Sequence, residues 1–507
     1  MRGGYHSARD HRGPLELSCD VVVAGSGAGG ATVATELAES GLSVVVLEEG
    51  PNVPSEKLGA MRPSESLRHV WRDGGMIVTI PRGASPAVNV TMGRCVGGSS
   101  VVTGGVCFRI PDPVMKEWTD RLGLDGYTPE AMRPYFEHVE RAIHVEEVPA
   151  SMRSRSTELF AIGAERRGFA VKPMRRNTKG CDGCGTCNFG CPHGAKMSVD
   201  LSYLPRAVGK GAQVWSHCLV ERVTMQGARA VGVTGRLLNR RGGKPGDALR
   251  VHARRVVVAC GAWHTPLVLR RSGIGRGKRV GQNLTVHPGF RMLARFEEPV
   301  RGWRGALQSL WTDAFEDRGV TLTGLFVPVG VLGATMPGIG VEHTENARHI
   351  DRLAMFGGIL HDEGGGTVHR TLGREPVVSY RMSPRDRARI PFLLRTMAET
   401  FFEAGAKEVF MPILGLRGVD ADAMRKLDLE RVPPRRIECS SQHPLGGVQM
   451  GADTRSVVDS NGRVRDAEQL YVVDGSIVPT SLGVNPQLSI MSIATRAAWR
   501  MRETPLG

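Results

Sequence analysis

A glycine-rich turn between a predicted strand and a predicted helix constrains the fold of this chain more than any other feature. Residues 20–24 (DVVVA) form a short, mostly β-branched apolar run, which is typical of a buried parallel strand. Gly25, Gly27 and Gly30 follow in the spacing GxGxxG, and the helical stretch ATVATELAESG comes next. A second apolar run, LSVVVL, ends just before Glu48. This order of strand, turn, helix and strand predicts a Rossmann-like dinucleotide-binding unit.

Each residue of this motif has a physical role in binding a dinucleotide. Gly25 allows the tight turn, Gly27 lets the backbone approach a pyrophosphate, and Gly30 lets the helix pack closely on the strand. The pyrophosphate then lies at the helix N-terminus, where free N–H groups and the helix dipole favour negative charge. Glu48 is predicted to accept hydrogen bonds from the adenosine ribose, and Glu49 is the less favoured candidate. The motif alone does not distinguish NAD from FAD.

Length and composition indicate a globular chain with sizeable cores. Hydrophobic residues make up 41% of the 507 residues and charged residues 23%, which excludes disorder for most of the chain. No apolar run approaches the ~18–20 residues that cross a bilayer. Residues 1–14 contain no hydrophobic stretch and are predicted to be a flexible polar tail, not a secretory signal. We therefore expect a cytoplasmic protein without a transmembrane segment.

The formal net charge of the chain is +15. Such an excess can indicate a nucleic acid, an anionic membrane surface or an acidic ligand as partner. The arginines are scattered in pairs and no dense basic run is interleaved with aromatic residues, so we do not expect nucleic-acid binding. A solvated basic surface is the simplest interpretation, and a docking face for an acidic electron-acceptor protein is the alternative.

Several further segments resemble the signatures of one family. They are GRCVGGSS at 93–100, the stretch 261–275 after the apolar run 256–259, VGQNLTVHP at 280–288, SQHPLG at 441–446, YVVDG at 471–475 and Asn485-Pro486. In this order, and over nearly the whole chain, they resemble the glucose–methanol–choline (GMC) family of FAD-dependent oxidoreductases. The resemblance implies that the dinucleotide is FAD.

The resemblance also implies the fold class and the division into domains. The fold is expected to be α/β, and α+β over the whole chain, with a Rossmann-like FAD-binding domain and a discontinuous substrate domain that contains a β-sheet. Positions of the signatures assign residues 15–110, 200–290 and 440–505 to the FAD-binding domain. The substrate domain is then expected at residues 111–199 and 291–439.

The residues that the resemblance places against FAD come from both ends of the chain. Beyond the N-terminal motif they are Gly93, Gly97, Gly98, Ser99, Ser100, Asp474, Gly475, Asn485 and Pro486. Three positions after Ser100 the family usually has Asn or His, and the His version can carry a covalent flavin. This chain has Thr103 there, so non-covalent FAD is predicted.

His443 and Asn485 are the predicted catalytic residues. Oxidation of an alcohol removes a proton from oxygen and a hydride from carbon, so the protein must supply a base beside the flavin. Histidine suits this role because its unperturbed pKa of about 6.5 is close to the working pH. The resemblance assigns the base to His443 and makes Asn485 its partner, which positions the alcohol oxygen. His264 and His287, which lie inside other signatures, are predicted to have structural roles.

Four of the ten cysteines form one string. Cys181, Cys184, Cys187 and Cys191 have the spacing C-x2-C-x2-C-x3-C-P, which is typical of iron–sulfur ligation in bacterial ferredoxins. One iron–sulfur cluster is therefore one interpretation of this Cys-rich segment, residues 181–192. Structural thiols, a zinc site and a redox disulfide are the alternatives. Some sugar dehydrogenases of the GMC family carry a cluster in a comparable segment.

The combined features predict an FAD-dependent oxidoreductase that oxidises a CH–OH group of an alcohol, sugar or sterol-like substrate. A cluster would favour a dehydrogenase that passes electrons to a protein or quinone acceptor. An oxygen-using alcohol oxidase is the first alternative. A lyase with an inert flavin is the second, because the family also contains hydroxynitrile lyases. The sequence does not identify the substrate.

Overall fold

A computed structural model describes residues 3–240, 244–371 and 373–506 of the chain. Its strands are β1 (Gly4–Ser7), β2 (Leu15–Ala24), β3 (Val44–Leu47), β4 (Ile80–Pro81), β5 (Val88–Val90), β6 (Val145–Glu147), β7 (Lys172–Pro173), β8 (Arg175–Asn177), β9 (Gln213–Ser216), β10 (Cys218–Gln226), β11 (Arg229–Leu237), β12 (Ala248–Val258), β13 (Gln282–Leu284), β14 (Gly289–Arg295), β15 (Gln308–Thr312), β16 (Val320–Leu325), β17 (Leu353–Leu360), β18 (Gly366–His369), β19 (Val377–Tyr380), β20 (Glu408–Phe410), β21 (Cys439–Ser441) and β22 (Leu470–Val472). Its α-helices are α1 (Ala28–Glu39), α2 (Ser55–Ala60), α3 (Pro63–Val70), α4 (Asp112–Leu122), α5 (Pro129–Ala142), α6 (Arg155–Arg166), α7 (Leu204–Gly209), α8 (Gly261–Arg271), α9 (Val329–Thr335), α10 (Val341–Arg348), α11 (Pro384–Glu403), α12 (Ala421–Lys426) and α13 (Gln487–Glu503).

The N-terminal motif lies at the centre of an eight-stranded sheet. The strand order is β1-β9-β3-β2-β12-β11-β10, and β22 also pairs with β12. Residues 21–24 of β2 lie opposite residues 44–47 of β3 in a parallel ladder, and all four residues of β2 are fully buried. Burial on both faces explains the continuous β-branched run in the sequence. The predicted strand, turn, helix and strand are therefore confirmed.

Helix α1 connects the two strands and packs against the C-terminal helix α13. Glu36 on α1 is only 2% exposed, and its carboxylate is 2.7 Å from the ring Nε2 of His138 on α5. The same carboxylate accepts a hydrogen bond from the indole N–H of Trp499 and pairs with Arg502, both on α13. The first helix of the chain thereby fixes the helix that begins just after Asn485.

The N-terminal residues differ from their prediction. Residues 1–14 were expected to form a flexible tail, but β1 pairs in parallel with β9 and extends the dinucleotide-binding sheet by one strand. His6 on β1 stacks on Trp215 of β9, with ring centroids 4.6 Å apart. The short polar sequence GYHS does not predict a strand. As an edge strand, β1 is held by backbone hydrogen bonds to β9 on one side, so it needs no apolar run. Residues 1 and 2 lie outside the described residues.

A second eight-stranded sheet forms a second layer, which includes most of the strands of the predicted substrate domain. Its order is β5-β21-β14-β17-β16-β15-β7, with β20 paired to β14. Helices α6 and α11 cover it, and a smaller sheet of β13, β18, β19 and β4 lies alongside. Both β4 and β5 belong to residues 15–110, so this N-terminal segment contributes strands to both layers. The exact domain limits stay a prediction.

The fold as a whole confirms the predicted mixed α/β class. None of the helices in the described part of the chain is long and apolar enough to span a membrane. The strand β21, which ends at Ser441, and the loop before α13 meet where the two layers adjoin. They bring His443 and Asn485 to the same cavity as the N-terminal glycine motif.

Candidate active site

One elongated cavity runs from the glycine motif to the predicted catalytic pair. Its empty space is about 1570 Å³, part of it open to solvent. The predicted site residues that line it are Gly25, Gly27, Glu48, Gly93, Gly98, Ser99, Ser100, His443, Asp474, Gly475, Asn485 and Pro486. Gly30 and Gly97 lie behind the wall. The structure therefore brings together residues from both ends of the chain, from Gly25 to Pro486.

The glycines act through close backbone packing. Gly25 has a φ of 103°, and a Cβ there would lie 2.2 Å from the carbonyl oxygen of Ala259, the residue that follows the neighbouring strand β12. A Cβ on Gly30 would lie 2.0 Å from the carbonyl oxygen of Gly25, which fits the predicted role of Gly30 in helix packing. A Cβ on Gly98 would lie 2.8 Å from Cα of Gly27. Two glycine loops thus meet without side chains at the start of α1, which leaves room for a pyrophosphate.

Glu48 is fixed in place at the end of β3. One carboxylate oxygen accepts hydrogen bonds from Ser26 N–H at 3.1 Å and from the Ser26 hydroxyl at 2.6 Å. The other oxygen accepts from Gly50 N–H at 2.8 Å. Burial raises the pKa of Glu48. Glu48 lines the cavity, which fits the predicted contact with a ribose hydroxyl.

A partly buried ion cluster lies next to Glu48, and no local sequence pattern predicts it. Arg72 donates to Glu49 at 2.8 Å and to Glu375 at 3.0 Å. Arg374 also pairs with Glu49, and His264 Nε2 lies 2.8 Å from Glu375. Burial opposes the charged form, but Arg72 and Arg374 prevail and lower the pKa of Glu49 to about 2. Glu49 thus connects Arg72 to Arg374, and all three residues line the cavity.

Asp474 joins two segments at the middle of the cavity. Its carboxylate accepts hydrogen bonds from the Thr265 hydroxyl at 2.6 Å, from Gly261 N–H at 2.8 Å and from Ser476 N–H at 2.7 Å. Burial raises its pKa. These contacts position the start of α8 against the loop at Asp474, which precedes the predicted catalytic residue Asn485 in the chain. Asp474 is therefore a structural support of the cavity wall.

His443 and Asn485 face each other at the far end of the cavity. The side-chain nitrogen of Asn485 is 3.1 Å from His443 Nε2. His443 N–H donates to the Ser441 hydroxyl at 3.0 Å, which fixes the start of the loop after β21. Burial lowers the pKa of His443 to about 4, so the ring is neutral near pH 7 and can accept a proton. An alcohol oxygen would have to lie beside this contact, on the cavity side, to reach both side chains.

Two buried cations hold the backbone beside this end of the cavity. Lys196 donates to the carbonyl oxygens of Val101 at 2.6 Å, Thr103 at 2.8 Å and Cys187 at 2.9 Å. Arg176 donates to the carbonyl oxygen of Gly104 at 2.8 Å and to the sulfur of Cys187 at 2.9 Å. Lys196 and Arg176 therefore connect Cys187 of the Cys-rich segment to Thr103 and Gly104 of the cavity wall.

The four cysteines of the string do not form one set of converging thiols. In the part of the chain that the structure describes, one group of at least three metal-capable side chains has its ligand atoms within 4.8 Å of one another, namely Asp182, Cys184 and His193. Only one cysteine of the string belongs to it. Cys187 and Cys191 accept hydrogen bonds from Arg176 and from Lys196 N–H. All ten cysteines are free thiols.

Comparisons with known proteins identify the family of the chain. Two family models described as GMC oxidoreductase match residues 20–289 and 369–494. An uncharacterized GMC-type oxidoreductase of Mycobacterium tuberculosis is 38% identical over 492 residues, which are 96% of this chain and 76% of that protein. A long-chain-alcohol oxidase of Arabidopsis thaliana is 29% identical, over 96% of this chain and 69% of that protein.

A solved structure shares the fold. Pyridoxine 4-oxidase from Mesorbium loti superposes with a TM-score of 0.73 over 96% of this chain and 100% of that chain, at 20% identity. At this identity the likeness concerns the fold alone. The family matches confirm the resemblance that the sequence segments indicated. The chain belongs to the GMC oxidoreductase family of FAD-dependent enzymes.

Proposed function

We propose that the protein oxidises the CH–OH group of an alcohol at the site formed by His443 and Asn485. The contact between these two side chains, 3.1 Å long and in the same cavity as the glycine motif, is the observation that carries this proposal. FAD, when bound, would accept the hydride from the carbinol carbon. His443 would take the hydroxyl proton at Nε2, and Asn485 would hold the oxygen in position.

The cavity fits FAD along its length. The side-chain-free contact of Gly27 with Gly98 and the start of α1 suit the pyrophosphate. Glu48 suits the adenosine ribose, and His443 and Asn485 line the same cavity as Thr103 and Gly104. FAD would be held without a covalent bond, because a threonine hydroxyl at position 103 offers no imidazole for attachment. Acid precipitation of the purified protein should release all of the flavin into the supernatant.

We propose an aliphatic alcohol as the substrate class. The long-chain-alcohol oxidase among the relatives supports it, and Met92, Val106 and Ile490 supply apolar surface to the cavity. The test is anaerobic reduction of the FAD-loaded protein by primary alcohols of increasing chain length, with sugars and sterols alongside. Faster flavin bleaching with longer alcohols supports the class, and bleaching by sugars alone contradicts it.

The electron acceptor is tested on the same reduced protein. Relatives named as oxidases support oxygen, whereas the Cys-rich segment and the basic surface support a protein or quinone acceptor. Mixing the reduced protein with oxygen or with a quinone in a stopped-flow instrument separates the two. Rapid reoxidation by oxygen identifies an oxidase. Slow reoxidation by oxygen with rapid reoxidation by the quinone identifies a dehydrogenase.

The iron–sulfur cluster stays a prediction for residues 181–192. The donor set that converges, a carboxylate, a thiol and an imidazole, suits zinc better than a four-thiolate cluster. Iron and acid-labile sulfide are to be measured on protein purified without oxygen. Iron and sulfide in stoichiometric amounts support the cluster. If both are absent, the cluster is excluded, and a zinc site, a redox disulfide or structural thiols are the alternatives. The hydrogen bonds that Cys187 and Cys191 accept from Arg176 and Lys196 support structural thiols.

The pH dependence of flavin reduction is the next prediction. Because burial lowers the pKa of His443 to about 4, the neutral, proton-accepting form persists well below the ordinary value of about 6.5. At low alcohol concentration, we expect a reduction rate that is constant at neutral pH and falls only as the pH approaches about 4. A rate that is already halved near pH 6.5 would show that the ring is not desolvated.

The variant Asn485→Asp changes the charge beside His443 and tests whether His443 is the group that titrates. The variant keeps the size of the side chain but places a carboxylate 3.1 Å from the position of His443 Nε2. A negative charge at this distance should raise the pKa of His443 by roughly 1–3 units. We expect the acid limb of the pH profile to move upward by that amount. An unchanged acid limb would mean that His443 is not the titrating group.

A further inference from the structure

A second imidazole lies behind His443, and the function proposed above does not use it. His287 Nδ1 is 3.4 Å from His443 Nδ1. His287 is only 1% exposed, and its Nε2 accepts hydrogen bonds from the backbone N–H groups of Leu482 at 2.9 Å and Gly483 at 3.3 Å. Both ring nitrogens of His287 therefore have partners, and one of its partners is the predicted base.

The surrounding fold holds His287 in an unusual backbone conformation. Its φ is 47°, in the left-handed region. Asp362 accepts hydrogen bonds from His287 N–H at 3.0 Å, from Val286 N–H at 3.2 Å and from the Tyr380 hydroxyl at 2.8 Å. A left-handed non-glycine residue is costly and persists only where its surroundings fix it. Three donors on one buried carboxylate provide this fixation.

The fixed backbone donors determine where the protons of the two rings lie. A backbone N–H can only donate, so Nε2 of His287 must be the unprotonated nitrogen of a neutral ring. Its single proton is then on Nδ1 and points at His443. Nδ1 of His443 must accept the hydrogen bond from this N–H group, so the single proton of the neutral His443 ring is on Nε2. Any other arrangement places two N–H groups against each other.

Asn485 completes the chain of hydrogen bonds. With a proton on Nε2, His443 requires an acceptor at the 3.1 Å contact. A half-turn of the Asn485 amide presents its oxygen there, and the two ends of an amide have the same shape. The amide N–H₂ group is then free to donate into the cavity. The backbone N–H of Leu482 can only donate to His287. It therefore determines which atom donates in the next two hydrogen bonds, between His287 and His443 and between His443 and Asn485.

We propose that His287 is a positioning residue that keeps the resting His443 ring in the tautomer with its proton on Nε2. The tautomer of His443 follows from the hydrogen bonds alone, whereas its consequence for catalysis rests on the proposed function. To take an alcohol proton at Nε2, His443 must first carry its ring proton on Nδ1, and this breaks the contact with His287. His287 therefore sets the balance between a hydrogen-bond-donating form of His443 and its proton-accepting form.

Tautomers are measured directly by ¹⁵N NMR of the FAD-loaded protein with labelled histidine. Long-range correlations between ring protons and ring nitrogens distinguish a protonated from an unprotonated nitrogen. The His443 signals are identified by their loss in His443→Gln. We expect a protonated Nε2 in His443 and a protonated Nδ1 in His287. A protonated Nδ1 in His443 of the unchanged protein would overturn the proposal without the need for a further variant.

His287→Leu tests whether His287 causes the preference. This variant removes the donor, so His443 should lose its fixed tautomer and show a mixture of forms or a proton on Nδ1. His369→Leu is the matched control, because His369 bonds Ser379 away from the cavity lining. An unchanged Nε2 proton in His287→Leu would refute the role of His287. If no alcohol reduces the flavin but the tautomers are as expected, the proposed function fails and this inference stands.

Discussion

Replacement of His443 by glutamine is expected to slow flavin reduction by an alcohol by roughly 100- to 10,000-fold, the usual contribution of a general base. Glutamine keeps a polar group near Asn485 but accepts no proton at neutral pH. The His443 backbone contact with Ser441 does not depend on the side chain, so FAD binding should be retained. The measurement is the anaerobic decay of flavin absorbance after rapid mixing with the alcohol.

Two controls accompany this variant. The FAD content of His443→Gln should match that of the unchanged protein, which separates a loss of chemistry from a loss of cofactor. His369→Leu should reduce the flavin at the unchanged rate, because it removes a histidine that does not line the cavity. If His443→Gln reduces the flavin as fast as the unchanged protein, another group is the base.

Replacement of Gly25 by alanine is expected to abolish FAD retention and to lower the free energy of unfolding by more than about 4 kcal/mol, an exceptional loss for one substitution. Part of the cost comes from the φ of 103°, which alanine adopts poorly. The larger part comes from the contact of the new Cβ with the Ala259 carbonyl, 2.2 Å away. Either β2 and β12 move apart or the turn changes shape.

Gly41→Ala is the matched control for Gly25→Ala. Gly41 also has a positive φ, 91°, but a Cβ there meets no atom within 4 Å. Its substitution should therefore lower the free energy of unfolding only by the cost of the left-handed backbone conformation, about 1–2 kcal/mol, and should leave FAD bound. Urea unfolding and FAD content after gel filtration measure both effects. Equal losses of stability in the two variants would show that the close approach at Gly25 is unimportant.

The sequence was most informative where local chemistry determines the structure. The turn at Gly25, Gly27 and Gly30 requires residues without side chains, and Glu48 follows a strand whose burial is visible in its β-branched run. These features are local, so a reading along the chain finds them. The resemblance to the family then implies that His443 and Asn485 share one site. In the structure their side chains are 3.1 Å apart, although they are 42 positions apart in the chain.

Features that depend on distant partners could not be predicted. The ion cluster of Glu49 requires Arg72, Arg374 and Glu375, which come together only in the folded chain. Strand β1 was missed because its partner β9 lies about 200 residues away and its own sequence is polar. His287 was assigned a structural role, since nothing in its local sequence shows that Leu482 and His443 face its two nitrogens.

The Cys-rich segment shows the limit of a spacing rule. The spacing of a ferredoxin string places four thiols close in sequence, but a cluster also requires their sulfur atoms to converge. Here Arg176 and Lys196 occupy positions next to the sulfurs of Cys187 and Cys191 and connect the segment to the cavity wall. The same residues can thus serve to shape the active site without any metal ligation.

The central claim is that His443 and Asn485 support alcohol oxidation by bound FAD. The most direct measurement is single-turnover reduction of the FAD-loaded protein by an aliphatic primary alcohol and by the same alcohol deuterated at the carbinol carbon, without oxygen. The account predicts loss of the oxidised flavin absorbance, slower with the deuterated alcohol, and at least about 100-fold slower in His443→Gln. An oxidised flavin that persists with every alcohol, sugar and sterol tested would contradict it.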